Sequence, residues 1–364
     1  MKRSFLRIWV GIGIFLLCYT AHAQPNSAPP AINRLEKMYL RALQGNVRRI
    51  LSDLDTLSDL NLYPQELKTK QQYLKRFKEQ DEIFTYPTKN ELLLQLISLY
   101  RVYWKEALLQ LYPIQTAEKR LLENLENYLL SQAAEQEHKN EIRHNVIAYI
   151  KKILTHNGFY VANGKTAGFY DLLVWAKETE THYNVVLPGG NTDVTVVFMD
   201  SVVTMGWEEF ATFGKYFPGG WATDKALYCV RSTYDTSSEN FKISYLQHEG
   251  QHFADYKLYP ELSGADLEYR AKLVELAYAN QSAYKLLSFF QSNTTQDRSN
   301  AHSFANAHVI KNMAKELLRH EQATDNSEWK KLSIIDINAA ARKLLGVNSE
   351  GLRKVGKEVK EFIQ

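Results

Sequence analysis

The chain has 364 residues, of which 44 are basic and 41 are acidic, with a formal net charge of +3. Such a small charge argues against nucleic acid or an anionic membrane as a partner, because binding to either needs a strong basic excess. The length and the 45% hydrophobic content are sufficient to bury one large core or two ordinary cores.

The first 23 residues have the three-part pattern of an export signal. Lys2, Arg3 and Arg7 supply positive charge, residues 8–17 are apolar, and residues 21–23 read Ala-His-Ala, a typical cleavage site. The apolar run is short for a transmembrane span, although an uncleaved anchor is the alternative. We therefore expect a periplasmic or secreted protein with no stable membrane insertion after signal cleavage.

Cleavage would give a mature chain that begins at Gln24. Cleavage removes three of the 44 basic residues, and the mature chain then has 41 basic and 41 acidic residues. It also removes Cys18, and Cys229 then has no partner for an internal disulfide. A lipoprotein attached through Cys18 is a weaker alternative, because the bulky Leu17 precedes it where a small residue is needed.

The next part of the chain is predicted to be helical. Residues 24–30 are polar and contain proline, which indicates a flexible leader. Residues 31–157 form the predicted helical N-terminal region, and Asn157-Gly158 is typical of a helix end. Apolar side chains recur there at helical spacing, for example Leu93, Leu96, Ile97, Tyr100 and Trp104. This helical region either shapes a substrate cleft or has only a packing role.

The pattern changes at residue 158, where a region predicted to extend to residue 291 begins. Asn163-Gly164 indicates a turn, and Phe169 to Lys177 is predicted as a short helix. Three segments rich in Val, Thr, Tyr and Phe are predicted as strands of a small twisted sheet, residues 183–187, 193–200 and 225–231. Residues 292–364 are predicted to form a helical C-terminal region. The predicted fold class is α+β and predominantly helical.

A metal-binding pattern lies between the last predicted strand and the C-terminal region. Two histidines and a glutamate form the sequence His248-Glu249-Gly250-Gln251-His252. On a helix, residues four apart lie on one face, so both imidazoles can reach a single zinc ion. Glu249 lies beside them, where it can accept a proton from a water that attacks a carbonyl.

The residues around this pattern favour a buried helix. The flanking positions are uncharged, and Gly250 lowers helix propensity by roughly 1 kcal/mol relative to alanine. We therefore expect another part of the chain to approach the backbone at Gly250 closely. Ser237 or Ser238 is the expected cap of this helix. The alternative is a partly buried helix with two incidental histidines.

A catalytic zinc site needs a third protein ligand and an open fourth position. The acidic residues that follow His252 are the available donors, namely Asp255, Glu261, Asp266, Glu268 and Glu275. Residues 262–271 are predicted as a turn followed by a helix that carries Glu268 in its first turns, and this helix is predicted to run from residue 265 to about residue 291. Lys272 at i+4 and Glu275 at i+7 leave a second interpretation, in which Glu268 lies on an exposed helix face with ion pairs.

Residues 248–271 resemble the gluzincin clan of zinc metallopeptidases, which includes thermolysin. The resemblance rests on the two histidines with Glu249, and on the segment Ser263-Gly264-Ala265 with Glu268 and Ala271. The loop between the two segments is slightly shorter than is usual in the clan.

The resemblance implies a zincin-like catalytic core in residues 158–291, with Zn²⁺ held by His248, His252 and Glu268. Glu275 is the second choice for the third ligand. A sheet precedes the metal helix in this clan, and an edge strand pairs with the extended substrate. Residues 219–222 with 226–230 resemble that edge region, although an ordinary hairpin is the alternative.

The resemblance also implies an activity and a further site residue. It implies hydrolysis of a peptide or protein substrate, with Glu249 as general base. The clan often places a His or Tyr beyond the third ligand to stabilise the oxyanion. His302 and His308 are the positional candidates, but no local motif supports either of them. The competing hypothesis is a non-catalytic binding or scaffold protein of the cell envelope with a structural or vestigial metal site.

Overall fold

The computed structural model describes residues 30–79, 84–320 and 326–364. The predicted export signal and most of the predicted leader lie outside these residues. Within the described ranges, no helix is both long enough and apolar enough to cross a membrane. The described chain is α+β and predominantly helical, which confirms the predicted fold class at that level.

The described chain divides into two compact units. One contains the residues up to Lys177 together with Ser201–Phe217, and the other contains Glu178–Asp200 together with Pro218–Gln364. The predicted domain boundaries at residues 157 and 291 remain predictions. We call the two units the N-terminal unit and the metal-site unit.

Seven helices begin the N-terminal unit, as the periodicity of the sequence predicts. They are α1 (Pro30–Leu43), α2 (Val47–Asp55), α3 (Pro64–Phe77), α4 (Glu91–Leu108), α5 (Ile114–Gln132), α6 (Gln136–His144) and α7 (Val146–His156). Asn46, Asn90 and Asn145 cap three of them by accepting a backbone N–H from the first turn. Gly158 follows α7 with φ +83°, in agreement with the predicted helix end.

A five-stranded curled sheet follows the helices. Its strands are β1 (Tyr160–Thr166), β2 (Phe169–Leu187), β3 (Gly190–Met205), β4 (Gly220–Ala222) and β5 (Leu227–Val230), in the order β1-β2-β3-β5-β4. A short helix, α8 (Gly206–Thr212), separates β3 from β4. The three predicted strands are confirmed within β2, β3 and β5.

The prediction for the first hairpin is wrong at two places. Asn163 and Gly164 lie inside β1, where they pair with Leu172 and Asp171 of β2. The turn instead forms at residues 167–168, which both have positive φ and connect the two strands. Residues 169–177 are therefore strand and not helix, because β1 supplies hydrogen-bonding partners that the local sequence does not reveal.

The metal-site unit contains β4, β5 and the remaining helices. A π-helical segment (Asn240–Gln247) leads directly into α9 (His248–Leu258), and α10 (Gly264–Tyr278) follows. The later helices are α11 (Ala283–Ser292), α12 (Ala301–Leu317), α13 (Asn326–Trp329) and α14 (Ile334–Val355). The C-terminal region is helical, as predicted.

The predicted helix over residues 265–291 is in fact two helices, α10 and α11. Between them, the carboxylate of Glu239 accepts hydrogen bonds from the backbone N–H groups of Asn280, Gln281 and Ser282. A side chain from a distant part of the sequence therefore stabilises the break, and nothing in the local periodicity indicates it.

Helix α10 lies in the centre of its unit. All its residues from Ala265 to Ala277 are buried, although five of them carry a carboxylate, ammonium or guanidinium group. These five are Asp266, Glu268, Arg270, Lys272 and Glu275. Burying charge is costly unless each group has a partner, so the partners of these side chains define the important contacts of the unit.

Candidate metal centre

Helix α9 presents the two histidines of the pattern. Ser238 lies two residues before the π-helical extension of α9, and its Oγ accepts a hydrogen bond from the backbone N–H of Phe241, the contact expected of the predicted cap. His248 and His252 are both buried, and their Nε2 atoms lie 3.1 Å apart. One turn of helix thus brings two imidazole nitrogens to the same point, as their spacing predicts.

Glu268 of α10 meets this pair of nitrogens. Its Oε1 lies 3.2 Å from Nε2 of His252, and its Oε2 lies 3.5 Å from Nε2 of His248. Among the described residues, these three form the only group of three or more His, Cys, Asp or Glu side chains with donor atoms close enough to share a metal ion. We call His248, His252 and Glu268 the metal group. The structure therefore brings together the three residues that the sequence analysis selected as ligands.

The separations within this group fit a zinc ion. Ligand atoms bound tetrahedrally at about 2.0–2.1 Å lie about 3.3 Å from one another. The two imidazole nitrogens lie 3.1 Å apart, and Oε1 of Glu268 lies 3.2 Å from Nε2 of His252, both close to that value. The other carboxylate oxygen, Oε2, lies 3.5 Å from Nε2 of His248. Two imidazoles and one carboxylate also form a donor set that zinc takes in catalytic sites.

Glu275 orients the first histidine. Its Oε1 lies 2.7 Å from Nδ1 of His248, so the two ring nitrogens of His248 face different carboxylates. Burial alone would lower the pKa of His248, but Glu275 and Glu268 raise it to about 10. Glu275, the second choice for the third ligand, therefore contacts the ring nitrogen that does not face the metal group. A carboxylate at this position fixes the tautomer of a ligating histidine.

Glu249 lies in the same buried region. Burial raises the pKa of its carboxyl group, while His252, His248 and the backbone N–H of Ala222 act in the opposite direction. Its Oε2 has no hydrogen-bond partner. A buried carboxylate oxygen without a hydrogen-bond partner, close to the two imidazoles of the candidate site, can exchange a proton with a bound molecule.

Ala222 belongs to β4, which lies at one edge of the sheet and pairs antiparallel with β5. The segment that resembles the edge region of the clan is thus both a hairpin and an edge strand. Pairing of this strand with a substrate remains a prediction.

The interpretation of Glu268 as an exposed surface residue is wrong. Glu268, Lys272 and Glu275 are 3%, 3% and 4% exposed, and all three contact the metal group or its neighbours. Although burial alone would raise it, His302 and His248 hold the pKa of Glu268 well below its usual range. A lowered pKa favours the ionised carboxylate, the form that can bind a metal ion.

The two histidines proposed for the oxyanion differ in position. Nδ1 of His302 lies 2.9 Å from Oε2 of Glu268, in the metal centre. His308, one and a half turns later on α12, stacks on Phe304 and is half-buried. Of the two, only His302 contacts the metal group in the described structure.

The other acidic residues that follow His252 have different partners. Asp255 forms two hydrogen bonds with Arg270. Asp266 pairs with Arg298, and its carboxylate accepts the backbone N–H groups of residues 362 and 363. Glu261 is exposed. None of these three belongs to the metal group.

Sequence reasoning missed Tyr256 and placed Lys272 on an exposed helix face. Lys272 is buried and lies 3.6 Å from Glu268, and the ring of Tyr256 stacks on His252 at 6.4 Å. Burial raises the pKa of Tyr256, and the nearby Glu249 and Glu268 raise it further. The i+4 spacing from Glu268 to Lys272, and from His252 to Tyr256, was the available signal.

Comparison with protein-family models, curated proteins and solved structures finds no match to this chain. The functional argument therefore depends on the chemistry of the metal centre.

Proposed function

We propose that this protein is an exported zinc-dependent metallopeptidase of the gluzincin type, with a zincin-like core. The observation that carries the proposal is the convergence of His248, His252 and Glu268 at separations suited to tetrahedral zinc, with Glu249 buried beside them. The position of β4 at the edge of the sheet adds support, because an extended peptide can pair with a sheet edge.

His248, His252 and Glu268 would hold the metal, and Glu275 would keep His248 in the required orientation. Zinc in such a site acts as a Lewis acid and makes water a better nucleophile at neutral pH. The proton transfers of the reaction would be carried out by a side chain of the protein. All four residues are buried, which strengthens electrostatic interactions within the site.

Glu249 would act as the general base. The unpartnered Oε2 takes a proton from the water that attacks the peptide carbonyl. The same carboxyl group then gives that proton to the leaving amine nitrogen as the C–N bond breaks. Its raised pKa suits this role, because a base with a pKa nearer the working pH both accepts and donates a proton readily.

The proposed substrate is a peptide or protein outside the cytoplasm. The export signal in residues 1–23 supports a periplasmic or secreted location, and the balanced charge of the mature chain disfavours nucleic acid as a ligand.

The test uses the mature chain, residues 24–364, and its Glu249→Gln variant. We expect about one zinc per chain in both proteins, and cleavage of a mixed peptide library by the native protein only. Loss of the general base should lower the turnover by at least 10²- to 10⁴-fold. Glu261→Gln, which changes an exposed glutamate, is the matched control and should cleave normally.

Two results would contradict the proposal. Absence of zinc from the native protein after reconstitution would show that the proposed zinc site does not exist. Zinc binding with equal peptide turnover in the native and Glu249→Gln proteins would show that Glu249 is not the general base. Zinc binding with no turnover of any peptide would favour the scaffold hypothesis.

A further inference from the structure

We propose that Lys272 and His302 are positioning residues that make Glu268 bind the metal through a single carboxylate oxygen. This inference rests on the proposed zinc site. The two side chains come from different helices, α10 and α12, and both approach the same atom, Oε2 of Glu268. Oε1 lies 3.2 Å from Nε2 of His252, whereas Oε2 is 3.5 Å from Nε2 of His248 and closer, at 2.9 Å, to His302.

Lys272 lies one helical turn after Glu268 and is almost fully buried. Its Nζ is 3.6 Å from Oε2 of Glu268 and 4.9 Å from the centre of the Phe290 ring. A buried ammonium group is costly without a compensating negative charge. Because ligation of zinc by three side chains does not require this lysine, its contact with Glu268 indicates a separate role for it.

His302 approaches the same oxygen from α12. Its Nδ1 lies 2.9 Å from Oε2 of Glu268, an ion-pair contact, and neither of these two buried atoms forms a hydrogen bond of good geometry with any described group. The side chain of His302 is 10% exposed, so water has little access to this contact. An N–H at Nδ1 would therefore be directed to Glu268 or left unsatisfied.

The two contacts determine how the carboxylate can bind an ion. Because Oε2 faces both the Lys272 ammonium and Nδ1 of His302, Oε1 is the oxygen that would bind the ion strongly. A carboxylate released from these donors could bind through both oxygens and would then occupy the position that a catalytic site leaves open. Lys272 and His302 would thus preserve the open position by holding one oxygen away from the ion.

The test measures zinc affinity and the visible absorption of the cobalt-substituted mature chain, residues 24–364. The variants are Lys272→Met and His302→Leu, each of which removes one donor. We expect zinc to bind at least tenfold more weakly in each variant. We also expect the visible absorption of cobalt to weaken, because cobalt absorbs less strongly as its coordination number rises above four.

Matched controls separate positioning from a general effect on the structure. Lys257→Met removes an exposed lysine of α9, and His308→Asn changes a histidine of α12 outside the metal group. Both should retain native zinc affinity and the native cobalt spectrum. His302→Gln, which keeps a donor, should retain more of the native spectrum than His302→Leu. Circular dichroism of the metal-free proteins checks folding, and the two variants test the proposal independently.

The outcomes distinguish this inference from the proposed function. Native zinc affinity and native cobalt spectra in folded Lys272→Met and His302→Leu proteins would overturn the inference and leave the zinc site intact. Absence of zinc and cobalt from the unsubstituted protein would overturn the proposed function, and this inference with it.

Discussion

Nδ1 of His248 lies 2.7 Å from Oε1 of Glu275, and both side chains are buried. The corresponding nitrogen of the second histidine, Nδ1 of His252, has no hydrogen-bond partner among the described residues. The two histidines are therefore held differently, the first by a carboxylate and the second by the packing around its ring. This asymmetry makes Glu275 the main determinant of histidine orientation in the metal centre.

We predict that Glu275→Ala lowers zinc affinity by 10- to 100-fold without abolishing binding, because it removes an orienting partner and not a ligand. Glu268→Ala should abolish stoichiometric binding. Glu275→Gln keeps an acceptor for the N–H of His248 and should fall between native and Glu275→Ala. Titration with a competing chelator gives the affinities. Complete loss of zinc in Glu275→Ala with retention in Glu268→Ala would reverse the assignment of the third ligand.

Asp255 and Arg270 form a second link between the helices that carry the ligands. Arg270 donates Nε to Oδ2 at 2.7 Å and Nη2 to Oδ1 at 2.9 Å, and Asp255 is fully buried. We predict that Arg270→Met lowers the free energy of unfolding by about 3–5 kcal/mol, because Asp255 is left as an unpaired buried charge.

The control for this prediction is the double variant Asp255→Leu with Arg270→Met, which should recover most of the loss in chemical denaturation. Arg270→Lys should not recover it, since lysine cannot bind both carboxylate oxygens. Equal stability of the single and double variants would show that the pair contributes nothing specific.

Gly250 has a close neighbour, as its position in the metal helix predicts. A Cβ atom there would lie 3.0 Å from Cγ1 of Val185, which is buried in β2. Gly346, in the exposed middle of α14, has nothing within 4 Å. We predict that Gly346→Ala raises the free energy of unfolding by up to about 1 kcal/mol, the gain in helix propensity.

For Gly250→Ala the contact with Val185 should cancel this gain or reverse it. Thermal denaturation of both variants, and of Gly250→Ala in a Val185→Ala background, measures the effect. The two substitutions should be coupled by roughly 0.5 kcal/mol or more. An equal gain at the two glycines would contradict the close approach.

Much of the metal centre could be predicted from the sequence, because the information is local. The i, i+4 spacing determines that His248 and His252 share a helix face, and a short connection places Glu268 on the next helix. Gly250 indicated the close approach of another chain segment. These features depend on residues within one helical hairpin, and the structure brings the expected side chains together.

The contacts that support the centre depend on residues far apart in the sequence, and periodicity does not reveal them. His302 reaches Glu268 from α12, and Glu239 stabilises the break between α10 and α11. The first hairpin was misplaced for a related reason. Asn163-Gly164 is a favourable turn sequence, but its backbone pairs within β1, and residues 167–168 adopt the positive φ values that turn the chain.

Glu208 makes the stability of the N-terminal unit sensitive to pH. It is buried on α8, and burial, with a further contribution from Asp171, raises its pKa from 4.5 to about 8. The folded state therefore retains a proton that the unfolded state releases above about pH 4.5. The stability from this group is fully present below pH 4.5 and is lost as the pH rises through 8.

We predict that Glu208→Gln flattens this pH dependence, because glutamine stays neutral throughout. At pH 9 the variant should be more stable than the native protein by an amount on the order of a few kcal/mol, and at pH 4.5 the difference should vanish. Chemical denaturation at pH 4.5, 7 and 9 gives the free energies. Glu137→Gln, which changes an exposed glutamate of α6, is the matched control and should follow the native curve. Parallel curves for native and Glu208→Gln would show that Glu208 is ionised in the folded protein.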